Sequence, residues 1–160
     1  MSSNHLNKDE LIATLKNVER EQRTATVLWH SAIANHFGQN FIDWICADII
    51  QRQEALTAGE LAKLTGLTTG AITGLIDRLE KAGIVKREPD PNDRRRVIVK
   101  PVPSQVEELD SFFSATMDSF WEMAAAYSDE ELAFIIDFKT RATRLMEAEA
   151  IQLRTGKIND

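Results

Sequence analysis

The sequence predicts a mainly α-helical fold with a small β-hairpin wing: a winged helix-turn-helix flanked by long N- and C-terminal helices. Three observations predict it. Two short amphipathic helices are joined by the turn Thr65-Gly66-Leu67-Thr68. Two β-branched runs follow, separated by a turn-rich segment that ends in Asp93-Arg94-Arg95-Arg96. Long helical periodicities stand on both sides of this unit. The chain of 160 residues reads as a single domain over 1–160, with a winged unit at about 40–102 and terminal helices at about 8–37 and 104–153.

Each element has its own signal. In the first helix Leu11, Leu15, Val18, Gln22, Ala25 and Trp29 recur at three or four residues, and Gly38 ends it. A second helix, over 41–53, carries Phe41, Ile42, Ile45, Ile49 and Ile50. Thr57-Ala-Gly-Glu60 is a capping box that opens a short helix, closed by Gly66. Thr68 or Thr69 caps the next helix, whose apolar face is Ile72, Leu75, Ile76 and Leu79, with Gly83 just past its end. Strands are expected at 84–88 and 96–102, with Pro89 and Pro91 preventing regular pairing between them. Ser104-Gln-Val-Glu107 and Ser128-Asp-Glu-Glu131 read as two further capping boxes, opening helices to about 127 and 153. The terminal helices are richer in apolar positions than one thin layer needs, so pairing with a second copy is expected.

Charge and composition narrow the function. The net charge is -6, which argues against nucleic acid until its distribution is read. Residues 77–100 hold eight Lys/Arg against five Asp/Glu, a local +3, while the remainder carries -9. Phosphate binding needs a local basic footprint rather than a basic protein. No stretch approaches the ~18 consecutive apolar residues of a membrane span, and the polar first ten residues do not read as a secretory signal. The single cysteine, Cys46, permits no intrachain disulfide and suits a cytoplasmic protein. It lies in an apolar helix and reads as a small hydrophobe rather than a redox sensor. His5, His30 and His36 lack the spacing of a metal site, and no cofactor is expected.

With Ile72, Leu75, Ile76 and Leu79 inward, the outer face of the recognition helix is Gly70, Gly74, Asp77 and Lys81. Thr73 lies on one shoulder, Ala71 and Arg78 on the other. Each interior glycine costs roughly 1 kcal/mol relative to alanine, and helix stability explains neither. Close approach to a groove does: bare positions let the helix seat deeply and let Thr68, Thr69 and Thr73 reach bases or phosphates. Asp77 is expected to pair with Lys81, Arg78 or a wing arginine. In the wing, strand alternation would put Arg94 and Arg96 on one face and Arg95 on the other, and Asp93 would hold the loop by bonding backbone N–H groups or an arginine. Arginine suits a narrow minor groove and bidentate phosphate contact. An alternative is an adaptor that uses the winged unit for protein contacts only. An enzyme is not expected, because no phosphate loop, nucleophile elbow or metal-ligand spacing is present.

These residues resemble the MarR family of bacterial transcription regulators over about 8–153. The specific part is Leu61-Ala-Lys-Leu-Thr-Gly66-Leu, Ile76-Asp-Arg-Leu-Glu-Lys-Ala-Gly83-Ile-Val, and Arg87-Glu-Pro-Asp-Pro-Asn-Asp-Arg-Arg-Arg96. The resemblance implies a homodimer on double-stranded DNA, each winged unit reading half of a pseudo-palindrome. It also implies repression, relieved in many members by a small aromatic or lipophilic effector bound between the dimer helices and the winged unit. On this chain the family's base-contacting stretch falls on Thr68 to Gly74 and its minor-groove arginine on Arg95. Many members carry serine near position 70 and a longer polar or basic residue near 74. Glycine at both places here shifts base reading toward the threonines and DNA shape. The walls of an effector pocket would come from Trp29, His30, Ile33, Phe37, Trp44 and Phe113.

Overall fold

A computed structural model describes residues 7–156; His5 lies outside them, as do the side chains of Asp110 and Phe113. The element order is α1 (Lys8–His36), α2 (Phe41–Gln53), α3 (Ala58–Thr65), α4 (Thr69–Lys81), β1 (Val85–Pro89), β2 (Val97–Pro101), α5 (Pro103–Ala125) and α6 (Asp129–Thr155). The fold is therefore mainly helical with a two-stranded antiparallel wing and long terminal helices. No described helix is long and apolar enough to cross a membrane.

Local chemistry sets the boundaries. Thr57 and Glu60 form the expected reciprocal cap on α3, and Ser128 and Glu131 form the one on α6. Thr68, not Thr69, caps α4, its hydroxyl accepting from the Ala71 N–H. The capping box expected at Ser104 does not form. Pro103 occupies the first helical position instead, and Val102 is the cap without a side-chain bond. Proline's fixed φ is ready-made for that position and its missing N–H would have had no partner there, so the helix starts two residues before a Ser104 cap would allow.

The winged unit closes around one core. Ile72, Leu75, Ile76 and Leu79 of α4 are all buried against Cys46, Ala47 and Ile50 of α2, Leu61 of α3, and Val85 and Val99 of the wing. The wing strands pair from Val85↔Pro101 to Pro89↔Val97, so pairing reaches Pro89 and the irregular tip begins only beyond Asp90. Leu56 adds a single bridge to Val99 on the other edge of β2, which pins the chain just before α3 to the wing. A second cluster joins Ile33, Ala34 and Trp44 with Trp29, Phe37, Ile45, Leu109 and Phe112, and so ties α1 and α5 to α2. In contrast, α6 buries no residue. It lies along α1 through Lys139, which bonds Gln22 at 2.7 Å, and its last turn reaches α3, where Arg154 Nη1 donates to the Leu64 carbonyl at 3.1 Å.

Candidate nucleic-acid interface

The outer surface of α4 is open where the sequence placed its bare face. Thr68, Thr69, Gly70, Ala71 and Thr73 are exposed, and a β-carbon on Gly70 would meet nothing within 4 Å. The three threonines are not equivalent. The Thr68 hydroxyl accepts a capping bond, and the Thr73 hydroxyl donates to the Thr69 carbonyl at 2.9 Å. Thr73 therefore offers a groove its methyl group and a lone pair, whereas no side-chain bond holds Thr69 among the described residues. Gly74 is only partly exposed because Arg78 lies over it, Nη1 standing 3.7 Å from where a β-carbon would be.

The wing tip is a turn, not a strand end. The Arg96 N–H bonds the Asp93 carbonyl at 2.8 Å, which puts Arg94 and Arg95 at the two central positions of a β-turn. The alternation expected for Arg94, Arg95 and Arg96 therefore does not apply. Asp93 holds the turn as expected: its Oδ1 accepts from the Arg95 N–H at 3.1 Å and from Arg95 Nε at 3.2 Å. The Arg95 side chain is 92% exposed. Arg94 is exposed and makes no ion pair among the described residues.

Most of the other basic side chains are already engaged. Arg96 reaches back to Glu60 at 3.2 Å and Asp90 at 3.7 Å. Glu60 in turn caps α3, and the Thr57 backbone N–H, the Thr57 hydroxyl and then Arg96 hold its carboxyl below the usual range. Arg96 thus fastens the wing root to α3. Asp77 pairs with a wing arginine, one of the expected partners. Arg87 of β1 takes it at 2.6 Å and takes Glu80 as well, because β1 packs beside α4 and brings position 87 to the acidic edge of that helix. Lys86 and Lys100 share Glu88. Arg78 makes a bidentate pair with Asp43, both bonds 2.7 Å. The local +3 therefore resolves into internal pairs, an exposed Lys81 at the end of α4, and an exposed cationic tip at Arg94 and Arg95, of which Arg95 touches only Asp93.

A cavity of about 130 Å³ lies behind α4, lined by Phe37, Trp44 and Ala47, by Ala82 and Ile84 past the end of α4, and by Gln105 and Leu109 of α5. Of the expected pocket residues, Phe37 and Trp44 line it. Ile33 and Trp29 belong to the adjoining packed cluster, and His30 Nδ1 accepts from Trp44 Nε1 at 3.3 Å. Phe113 is not among the described side chains. Phe112 of α5 meets this cluster, 5.1 Å from Phe37 and 5.2 Å from His36 between ring centroids. Cys46 is buried on the opposite side of α2, and burial followed by the Asp43 charge pushes its thiol up to about 11, so it stays protonated and unreactive at neutral pH.

A helix with a bare outer face, a cationic turn beside it and two long flanking helices matches known regulators. A model of the MarR family matches residues 46–97. The HTH-type transcriptional regulator YcgE of Bacillus subtilis is 42% identical over 147 residues, 92% of this chain and 96% of that protein. The chain belongs to the MarR family. It is a DNA-binding transcriptional regulator, of a family that is not enzymatic. The HTH-type transcriptional repressor YetL of B. subtilis is 30% identical over 80 residues, half of this chain and 48% of that protein. A mutant MarR from Escherichia coli, crystallised in complex with operator DNA, shares the fold with a TM-score of 0.56 and 20% identity over 86% of this chain and 99% of that one. Like other MarR-family chains, this one shows long terminal helices around a central winged unit.

Proposed function

We propose that this protein is a sequence-specific repressor that acts as a homodimer on a pseudo-palindromic operator and responds to a small ligand. The observation that carries the reading is the pairing of the exposed run Thr68–Gly70 at the start of α4 with the exposed cationic turn at Arg94 and Arg95. One suits the floor of a major groove, the other a minor groove or phosphates. The likeness to a regulator crystallised with operator DNA supports groove entry by α4, and the likeness to a repressor supports the direction of control.

Dimerisation is supported by the faces that the chain leaves open. Phe134 is 72% exposed on α6, and Ile136, Leu145 and Met146 are exposed beside it, as are Leu11, Leu15 and Val18 on α1. So much apolar surface on two long helices that bury little within their own chain supports an interface. Two recognition helices held about one helical turn apart, on the order of 10 bp, would then read two half-sites. The ligand reading rests on the cavity behind α4. At about 130 Å³ it suits a single aromatic ring; an apolar cavity of about 150 Å³ holds benzene. The amides of Gln39 and Gln105 give it polar ends.

Fluorescence anisotropy of the purified protein tests the reading, with DNA from upstream of its own gene against a scrambled duplex at two salt concentrations. A preference of ~10³-fold or more is expected. Equal binding to both across a randomised pool would leave only non-specific DNA contact. For the dimer, Phe134→Glu should shift sedimentation from dimer to monomer and weaken operator binding with it.

A further inference from the structure

Arg78 stands one turn beyond Gly74 on α4, and its place is set from outside the helix. Its Nε donates to Asp43 Oδ2 and its Nη2 to Asp43 Oδ1. Asp43 is 2% exposed and sits in the first turn of α2, where the helix N-terminus favours a carboxylate. Its backbone is fixed in turn, because the Asp43 N–H donates to the Asn40 cap at 2.9 Å. Both carboxylate oxygens face one guanidinium, so the plane of that guanidinium is locked. Yet the Arg78 side chain remains 56% exposed.

The pair uses one N–H on Nε and one on Nη2. A guanidinium has five, so three remain, two on Nη1 and one on Nη2. These form an edge with two parallel donors, and Nη1 is the atom that lies over Gly74. The free edge is therefore held close to the helix surface at one of its bare positions. A long side chain at 74 would occupy the space in front of it.

We propose that Arg78, held by Asp43 and uncovered by Gly74, is the residue with which α4 reads a guanine. The proposal rests on α4 being the groove-facing helix. A base edge is favoured over a phosphate on electrostatic grounds. Asp43 neutralises the guanidinium but leaves its donors intact; a phosphate rewards net charge, whereas the O6 and N7 acceptors of guanine need two parallel donors. Asp43 acts as a positioning residue: it touches no base and fixes the plane of the group that does.

The test begins with a duplex selected from a randomised pool by the unmodified protein. Its single-pair variants and an unrelated duplex are then titrated against the unmodified protein, Arg78→Lys and Asp43→Asn. Lysine keeps a cation opposite Asp43 and lacks the planar fork, so the buried carboxylate is not left alone. Arg78→Lys is expected to lose about 10-fold on the selected duplex, with its preference flattened at one G·C pair in each half-site. Its affinity for the unrelated duplex and its salt slope should not change, and both report that the variant is folded. Replacing that guanine with 7-deazaguanine should cost the unmodified protein affinity and cost Arg78→Lys nothing. Asp43→Asn should weaken discrimination at the same pair and at no other. A loss spread over all duplexes with a shallower salt slope would make Arg78 a phosphate contact and overturn the proposal, as would unchanged preferences at every pair. Failure of the pool to enrich any sequence would overturn the groove-reading assignment of α4 itself, a different result from enrichment without an Arg78-dependent guanine.

Discussion

The recognition helix and the wing both carry arginine, and they hold it in opposite ways. On α4, Arg78 is clamped by a buried carboxylate reached across 35 residues of sequence. At the wing tip, Arg95 has one contact, to Asp93 two residues away, and stands almost fully in solvent. The first arrangement gives up net charge and gains a fixed direction. The second, on an exposed carboxylate and almost wholly in solvent, gains reach. A fixed donor plane suits recognition of one base pair, and an exposed, mobile cation suits the phosphate field or a narrow minor groove. Counting basic residues along 77–100 treats the two alike.

Four substitutions or conditions sharpen that difference, and the largest effect belongs to the helix. Gly74→Glu adds bulk and negative charge to the bare face, in the space beside the free edge of Arg78. Operator affinity should fall by ~100-fold or more in an anisotropy titration. The thermal midpoint should hold or rise, because an interior glycine is replaced at a gain of roughly 0.5–1 kcal/mol in helix propensity. A variant that still bound its operator tightly would show that this face does not enter the groove. Next comes the wing. Arg95→Ala should weaken binding about 10-fold on every duplex and lower the slope of log K against log salt by about 1, with sedimentation and melting unchanged.

Arg96→Ala should do less to DNA and more to the fold. It removes the tie from the wing root to Glu60 and Asp90, and half-exposed ion pairs of this kind contribute ~0–1 kcal/mol. A drop of a few degrees in melting temperature, with operator affinity falling less than in Arg95→Ala, is the expected pattern. The smallest effect is that of acid. Glu60 ionises below its usual range because the folded chain bonds its charged form. That contribution is fully present above the unfolded value of about 4.3 and is lost as pH falls through the lower folded value. Melting temperature should therefore decline more steeply below pH ~4.5 in the unmodified protein than in Glu60→Gln.

Short-range chemistry was legible in the sequence. The caps at Thr57 and Ser128 depend on residues three apart, and the buried face of α4 depends on spacing within one helix, so both follow from local order. The hold of Asp93 on the wing turn is equally local. What escaped depends on packing between elements. Arg78 and Asp43 meet only because α2 crosses α4, and Arg87 is the wing arginine that reaches Asp77 only because β1 lies beside that helix. Phe112 of α5 meets Phe37 only because α5 packs across the end of α1. The wing arginines were misassigned for a local reason. A strand would have alternated them, but the bond from the Arg96 N–H to the Asp93 carbonyl, three residues back, makes a turn.

One small contact near the end of α6 has a wider effect. Arg154 bonds the Leu64 carbonyl and lies against Gly66 so closely that a β-carbon there would come within 2.6 Å of its Nε. Gly66 is also left-handed, with φ of 76°, so a side chain at the joint between α3 and α4 would be strained and would have to displace Arg154 as well. The far end of the chain is thereby used as a stop against that joint. If α6 also holds the second copy, the separation of the two reading heads is a length the protein carries with it. Operators whose half-sites are moved apart by a single base pair should then be penalised more heavily than operators with a mismatched base.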